Sequence, residues 1–562
     1  MRSVINAALL AALISVSGLA HGLDITPGSA RIKTIGGIQK GLWNLWSNGE
    51  FGDHVAFAKP GEYAIVLGAH GSPVGNEWPL AALFIDGRRR ETFTVDSPDL
   101  KDYAFALKAD ARAYRITVAF LNDAMEGGED RNLYIERLRV SPAAGLPEPT
   151  IATDKEITQM HEELGKQAAE AERLAVDAAR KSIPAVRMGD AAVRVIDADG
   201  KPVPGAAVHA ELVRHAFLFG CNIYMFGRFG KPEENAAYSR RFAELFNYAT
   251  VAFYWASYEP EQGKPNYAYT DGVVSWCRER GIRMKGHPLL WGHDAGKPKW
   301  AGGKQSEPEI RRKRVFDIVR RFSGKIDFWE VVNEPSHCGE LTIDEPYRWA
   351  READPKARLI VNDYYVLADG CPQFLDLLTA AKRNGVPFDG IGIQAHEPRT
   401  DRFPLDGVRR ILDDYAALGK GLHITEFTPC SSGEAFTGTP IRGTWDEAAQ
   451  ADYAAKFYTV CFAHPAVRAI TWWDLCDAGS WLPGGGMLRK DLSPKPVYDA
   501  LRKLIREEWH TKVDAKTDAN GEIRLRGFYG RYAITAEAGN AWASAEASMM
   551  RSSENRFVVR IE

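Results

Sequence analysis

Between residues 24 and 142 apolar and polar residues alternate in short runs, among them Tyr63–Leu67, Leu80–Ile85, Tyr114–Phe120 and Leu133–Val140. Gly, Pro, Asn and Asp separate the runs, and that pattern predicts an all-β sandwich. A Pro-rich stretch, Pro142–Pro149, leaves it. Residues 153–182 are rich in Ala, Glu, Lys and Gln with a single Gly, and predict one long charged helix acting as a spacer. From Ala191 the text becomes strand, turn, strand, with Asp197–Gly200 as the turn, and strand-like text returns after Trp509. Between Phe217 and Ile505 strand-like and helix-like runs alternate about eight times, the pattern of a parallel α/β fold. Strands are expected at Phe217–Ile223, Ala249–Trp255, Arg283–Trp291, Ile326–Asn333, Ala357–Asn362, Gly390–His396, Leu422–Glu426 and Val467–Leu475. Helices such as Glu307–Phe322 and Asp446–Phe462 fit the gaps. Eight such units in this length match a closed (β/α)8 TIM barrel. The expected fold is therefore α/β, a barrel with an N-terminal all-β sandwich module and a small β-sandwich formed by the segments that flank it.

The organisation expected is a signal peptide at 1–22, a sandwich module at 23–142 and a Pro-rich and helical linker at 143–186. A β-hairpin at 187–215, the barrel at 216–508 and a C-terminal β-segment at 509–562 follow. Arg2, the apolar run Ala7–Ser17 and Gly18-Leu19-Ala20 carry the signal-peptide reading, which implies a secreted, periplasmic or extracellular protein. No later run is long and apolar enough for a membrane span. With 71 Lys and Arg against 74 Asp and Glu, the balance argues against a nucleic-acid or anionic-membrane partner. A monomer is expected. The seven cysteines show no metal-ligand spacing; a Cys430–Cys476 bridge and buried free thiols are both open.

Two strings decide the chemistry. Ile326–Pro335 (IDFWEVVNEP) and Leu422–Phe427 (LHITEF) are apolar, β-branched runs that reach a glutamate, Glu334 and Glu426. A carboxylate at the C-terminal tip of a barrel strand is where such folds keep their catalytic groups. A pair from different strands is what glycoside cleavage needs, one carboxyl to protonate the leaving oxygen and one to meet the oxocarbenium ion. His287 and Trp291 on the third strand, Asn333 on the fourth, Gln394 and His396 on the sixth, and Trp473 and Trp481 after the eighth converge on the same mouth. Tryptophans there suit sugars, whose C–H faces stack on aromatic rings.

These motifs, GHPLLW, WEVVNEP, GIGIQAH, ITEF and WWDLCDAGSWLP with KPVYDAL, make residues 217–505 resemble glycoside hydrolase family 10, the β-1,4-xylanases. The resemblance implies Glu334 as acid/base, Glu426 as nucleophile, Asn333 on the sugar 2-hydroxyl and His396 orienting the nucleophile, with Gln394 beside it. It also implies His287 and Trp291 as a wall of the −1 sugar site and Trp473 and Trp481 as its roof. The implied reaction is retaining double displacement without a cofactor, with the carboxyls about 5–5.5 Å apart. One departure stands out. Where the family carries sugar-binding Asn and Lys at the end of strand two, this chain has Val251 and Tyr254. A different β-linked polysaccharide is therefore the rival substrate to xylan, and a catalytically silent polysaccharide-binding protein the rival of another class.

Trp78–Gly87 and Phe120–Val140 resemble calcium-dependent xylan-binding modules. Asn122, Asp123, Glu129 and Asp130 put several oxygen ligands in one loop, which suits Ca2+; the alternative is a plain acidic hairpin. The segments 191–213 and 517–538 resemble two halves of a transthyretin-like sandwich, against two unrelated β-segments decorating the barrel ends.

Overall fold

The computed structural model describes residues 22–338, 341–368, 371–551 and 553–562. The expected signal peptide lies outside the described residues but for Gly22. Two compact units form, one from the N-terminal region to Ala168 and one from Ala169 onward, with Thr439–Ile441 assigned to the first.

The first unit is a sandwich of two antiparallel sheets. One pairs Asn132–Pro142 with Gly61–Ser72, which in turn pairs Lys101–Ala109. The other pairs Ala113–Phe120 with Gly49–Ala56 and with Leu80–Ile85. Their inward positions, such as Phe51, Val55, Ile65, Leu67, Ile116, Val118, Leu133 and Ile135, form one core. The short strand Thr150–Ile151 also pairs with Gly49–Ala56, so the sheet takes in two residues that read as linker. Thr153 then caps the helix Asp154–Arg187: its Oγ1 accepts from the Glu156 N–H, and the Glu156 carboxylate accepts from the Thr153 N–H at 2.8 Å.

The helix runs five residues beyond the expected end, and its second half is not a free spacer. Val176, Ala179 and Ile183, one face at helical spacing, join the core of the second unit. Glu172 accepts from both terminal nitrogens of Arg402, at 2.6 and 2.8 Å, and from Lys456 at 3.0 Å.

In the second unit eight parallel strands close a barrel: β1 Leu218–Asn222, β2 Tyr248–Ala252, β3 Arg283–His287, β4 Phe328–Asn333, β5 Arg358–Asp363, β6 Gly390–Ala395, β7 Gly421–Phe427 and β8 Val467–Trp472. Pairing of β8 with β1 and of β3 with β4 completes the ring. Gly286 is needed where β3 meets β4, since a Cβ there would lie 2.1 Å from the Trp329 ring. The flanking segments form the small β-sandwich. Met188–Ile196 pairs with Glu522–Phe528 and Asn555–Arg560, and Ala207–His215 pairs with Lys512–Lys516 and Gly530–Ala538. All seven cysteines are free thiols, Cys430 and Cys476 among them.

Candidate active site

Glu334 follows β4 directly and holds φ at +56°, a left-handed conformation that side chains other than glycine adopt at a cost. Its N–H donates to Asn362 O at 2.9 Å, which ties the turn to β5. The carboxyl accepts from Gln394 Nε2 and from Trp291 Nε1, each at 2.8 Å. Burial raises its pKa above the ordinary glutamate value; the Gln394 bond opposes this, the Glu426 charge adds to it, and the net direction is up.

Glu426 is 4% exposed and lies opposite Gln394 in the β6–β7 register. It accepts from Asn362 Nδ2 at 2.9 Å and pairs with His396 Nε2 at 3.0 Å. Nδ1 of His396 faces Thr428 Oγ1 at 2.9 Å, so a proton on Nε2 leaves Nδ1 to accept from that hydroxyl. Burial alone would push the Glu426 pKa up, but the charges of His287, His396 and Lys285 and the His396 hydrogen bond hold it well below the usual carboxylate range. Two carboxyls in one mouth thus have pKa values shifted in opposite directions.

Asn362, which entered the sequence reading only as a strand end, joins both halves. Its Nδ2 donates to Glu426 Oε1 and to Asn333 Oδ1, each at 2.9 Å, and its Oδ1 accepts from the Thr425 hydroxyl. Asn333 is 1% exposed, and its amide nitrogen has no partner among the described residues. Below them an ion pair crosses the barrel interior. Lys285 Nζ lies 2.6 Å from Glu330 Oε1, both fully buried, and the other Glu330 oxygen meets His287 Nδ1. Lys285→Met would strand a buried carboxylate, and a loss of about 3–5 kcal/mol in chemical denaturation is expected.

Aromatic rings wall the mouth. Tyr254 packs against Tyr224, His287 and Trp291 with centroids 5.9, 5.4 and 5.9 Å away. His287 sits edge-on to Trp473 at 5.3 Å, and His396 sits between Trp473 and Trp481. Trp481 is 54% exposed, yet its backbone is anchored: its N–H and the Ser480 hydroxyl both donate to Asp474 Oδ2. Tyr254, His287, Trp291, Asn333, Glu334, Gln394, His396, Glu426, Trp473 and Trp481 are thus joined by direct contacts, whereas Val251 is buried in the core. Tyr224, Asn362, Glu330, Lys285 and Asp474 were not singled out, although Glu330 and Asp474 are charged residues in apolar text, the same signal that marked the glutamates.

The N-terminal quartet is arranged differently. Asn122 is a backbone clamp, its Oδ1 accepting from Leu80 N–H at 2.6 Å and its Nδ2 donating to Trp78 O at 3.1 Å. Asp130 accepts from Asn132 Nδ2 at 2.8 Å, and Asp123, Glu129 and Asp130 do not form a group of three whose ligand atoms all lie within 4.8 Å of one another. The described groups that do gather three ligand atoms are His287, Glu330 and Glu426, already engaged as above, and His337, Asp363 and Cys371. In the latter, burial pushes the Cys371 thiol far up, against the thiolate a metal would take.

Comparison with known proteins gives two family matches. Residues 211–504 match the model of glycosyl hydrolase family 10, and residues 64–153 match a Ca-dependent, xylan-binding carbohydrate-binding module. The anti-sigma-I factor RsgI6 of Acetivibrio thermocellus is 29% identical over 353 residues, covering 60% of this chain and 43% of that protein. Endo-1,4-beta-xylanase B of Thermotoga neapolitana is 28% identical over 283 residues, 45% of this chain and 78% of that protein. The solved structure of native xylanase 10B from Thermotoga maritima is 27% identical, covers 52% of this chain and 96% of its own, and has a TM-score of 0.45. This chain thus spans less than half the length of the first of these relatives. No helix among the described residues is long and apolar enough to cross a membrane.

Proposed function

The chain belongs to glycosyl hydrolase family 10, and we propose that it is a secreted glycoside hydrolase, a retaining endo-β-1,4-xylanase in which Glu334 is the acid/base and Glu426 the nucleophile. The observation that carries the assignment of roles is the opposed electrostatics of the two glutamates, burial and Glu426 raising one while His287, His396 and Lys285 lower the other. Glu334 gives its proton to the glycosidic oxygen as the ionised Glu426 attacks the anomeric carbon, forming a glycosyl ester. Glu334, now anionic, then takes a proton from the water that cleaves that ester. Asn333 offers its free amide nitrogen to the sugar 2-hydroxyl, and Asn362 holds both Asn333 and Glu426 in place.

Activity should fall as pH rises through the Glu334 pKa, which strips the acid, and fall again as pH drops through that of Glu426. Because the Gln394 hydrogen bond lowers the Glu334 pKa, Gln394→Leu should move the alkaline limb of the kcat/KM profile to higher pH. An unmoved limb would show that Glu334 is not the group titrating there.

Export is supported by Arg2 and the apolar run after it, and the module is proposed to hold the enzyme on xylan with Ca2+, in line with the description of its family match. A second substrate reading has its own observation: Tyr254 fills the strand-two position of the family's lysine and packs on Tyr224, His287 and Trp291. Losing a hydrogen bond from a charged donor there costs about 1.5–3 kcal/mol unless something replaces it. Reducing-end release and product sizing on glucuronoxylan, arabinoxylan, mixed-linkage glucan, mannan and galactan decides between them. Xylo-oligosaccharides from the xylans alone are expected; release from another polymer with none from xylan would transfer the proposal to that polymer.

A further inference from the structure

At the opposite end of the barrel from the glutamates lies a cavity of about 590 Å3. Arg283, Phe328, Arg358 and Gly390, the first residues of β3 to β6, line it, and Arg187 and Tyr529 contribute from the helix end and the flanking sandwich. Five arginines line it: Arg187, Arg283, Arg358, Arg468 and Arg551, the last three at exposed positions on its rim. Arg283 pairs with Asp327 at 2.9 Å. Arg358, Arg468 and Arg551 have no carboxylate partner among the described residues. The lining carboxylate, Asp389, is already taken by Arg351 from outside the cavity and by the Leu359 N–H.

Arg187 marks the floor. It is 8% exposed, and its Nε and one Nη donate to the backbone carbonyls of Phe462, His464 and Val467, with no anion in reach. The second Nη has no partner among the described residues. Burial lowers the pKa of Arg187 to about 9, and the charges of Arg468 and Arg551 add to that effect. His215 and His423 also line the space, and burial holds each at about 3, so neither changes its charge at neutral pH. What remains is a concentrated positive field with aromatic walls from Phe328 and Phe462, in a chain whose net charge is −3.

Guanidinium forks match carboxylate and phosphate oxygens in pairs, and uncompensated ones gathered in a half-enclosed space favour such a guest over water. We propose that this cavity is a binding site for a small organic anion of about sugar size that carries at least two oxyanion groups, carboxylate or phosphate. Its volume falls in the range of small-molecule sites and far exceeds a lone inorganic ion. Strand lengths of five to seven residues place it roughly 15–20 Å from the catalytic mouth. The guest is therefore neither substrate nor product in the cleft, and the proposal stands independently of the hydrolytic reading.

Isothermal titration of the full chain with pyrophosphate, citrate and glucuronic acid, at an ionic strength matched with sodium chloride, tests it. Binding of citrate or pyrophosphate is expected, stronger than that of the monoanionic glucuronate, and at least tenfold weaker in Arg358→Gln/Arg468→Gln. Preference for citrate identifies a polycarboxylate guest, and preference for pyrophosphate a phosphorylated one. Arg551→Gln, at an exposed position, should weaken binding with the fold intact, and circular dichroism and the thermal midpoint of the same preparations report folding. Absence of binding by both polyanions, or equal binding in all variants, would overturn the proposal.

Discussion

Glu426→Gln is expected to lose at least about 10^4-fold in kcat on xylan while retaining affinity for xylo-oligosaccharides. The amide keeps the volume of the side chain and an oxygen to accept from Asn362, so the −1 site stays in shape. What disappears is the charge that attacks the anomeric carbon and faces the oxocarbenium ion. Rates on xylohexaose and affinity by titration calorimetry check the two halves separately. A barrel that only binds polysaccharide would show neither turnover in the parent chain nor any effect of the substitution.

Glu334→Ala should behave differently, and the difference identifies the acid/base. On xylan, with its poor leaving group, a loss of about 10^2–10^4-fold is expected. On a dinitrophenyl β-xylobioside the first step needs no proton, so a burst of dinitrophenolate should precede a slow steady state. Azide attacks the glycosyl ester without base assistance. It should restore turnover and yield the β-configured glycosyl azide, which two inversions at the anomeric carbon require. Absence of rescue would remove Glu334 from the role. The left-handed backbone at Glu334 gives the substitution no new strain, since alanine occupies that conformation no worse than glutamate.

Strands such as β5, β6 and β7 were legible because each is a short run rich in Ile, Leu or Val with a polar residue near its tip, and a run buried on both faces leaves few other readings. The same contrast exposed Glu334, Glu426, Asn333, Gln394 and His396. Lys285 and Glu330 escaped it because a charge in mid-strand reads as an outward position; only closure of the barrel turns both inward, onto each other. Asn362 was visible as a strand end, but its double hydrogen bond depends on β4, β5 and β7 meeting in space. Helix 154–187 carries enough charge to read as solvated throughout. The packing of its second half rests on three apolar residues and on Glu172, whose partners Arg402 and Lys456 are more than 200 residues away. In the sandwich, closeness along the chain suggested an ion site at Asn122–Asp130. The hairpin Met125–Glu126/Glu129–Asp130 forms there, and Asn122 bonds the backbone groups of Trp78 and Leu80, neither of which the spacing shows.

The most direct test of retaining xylan cleavage at Glu426 is trapping with dinitrophenyl 2-deoxy-2-fluoro-β-xylobioside, followed by peptide mass mapping. Fluorine at C2 slows both steps by destabilising the oxocarbenium ion, and the activated leaving group restores only the first. One equivalent of dinitrophenolate and a fluoroxylobiosyl adduct on the peptide carrying Glu426 are predicted. An adduct on another carboxylate, or steady release with no adduct, would contradict the account.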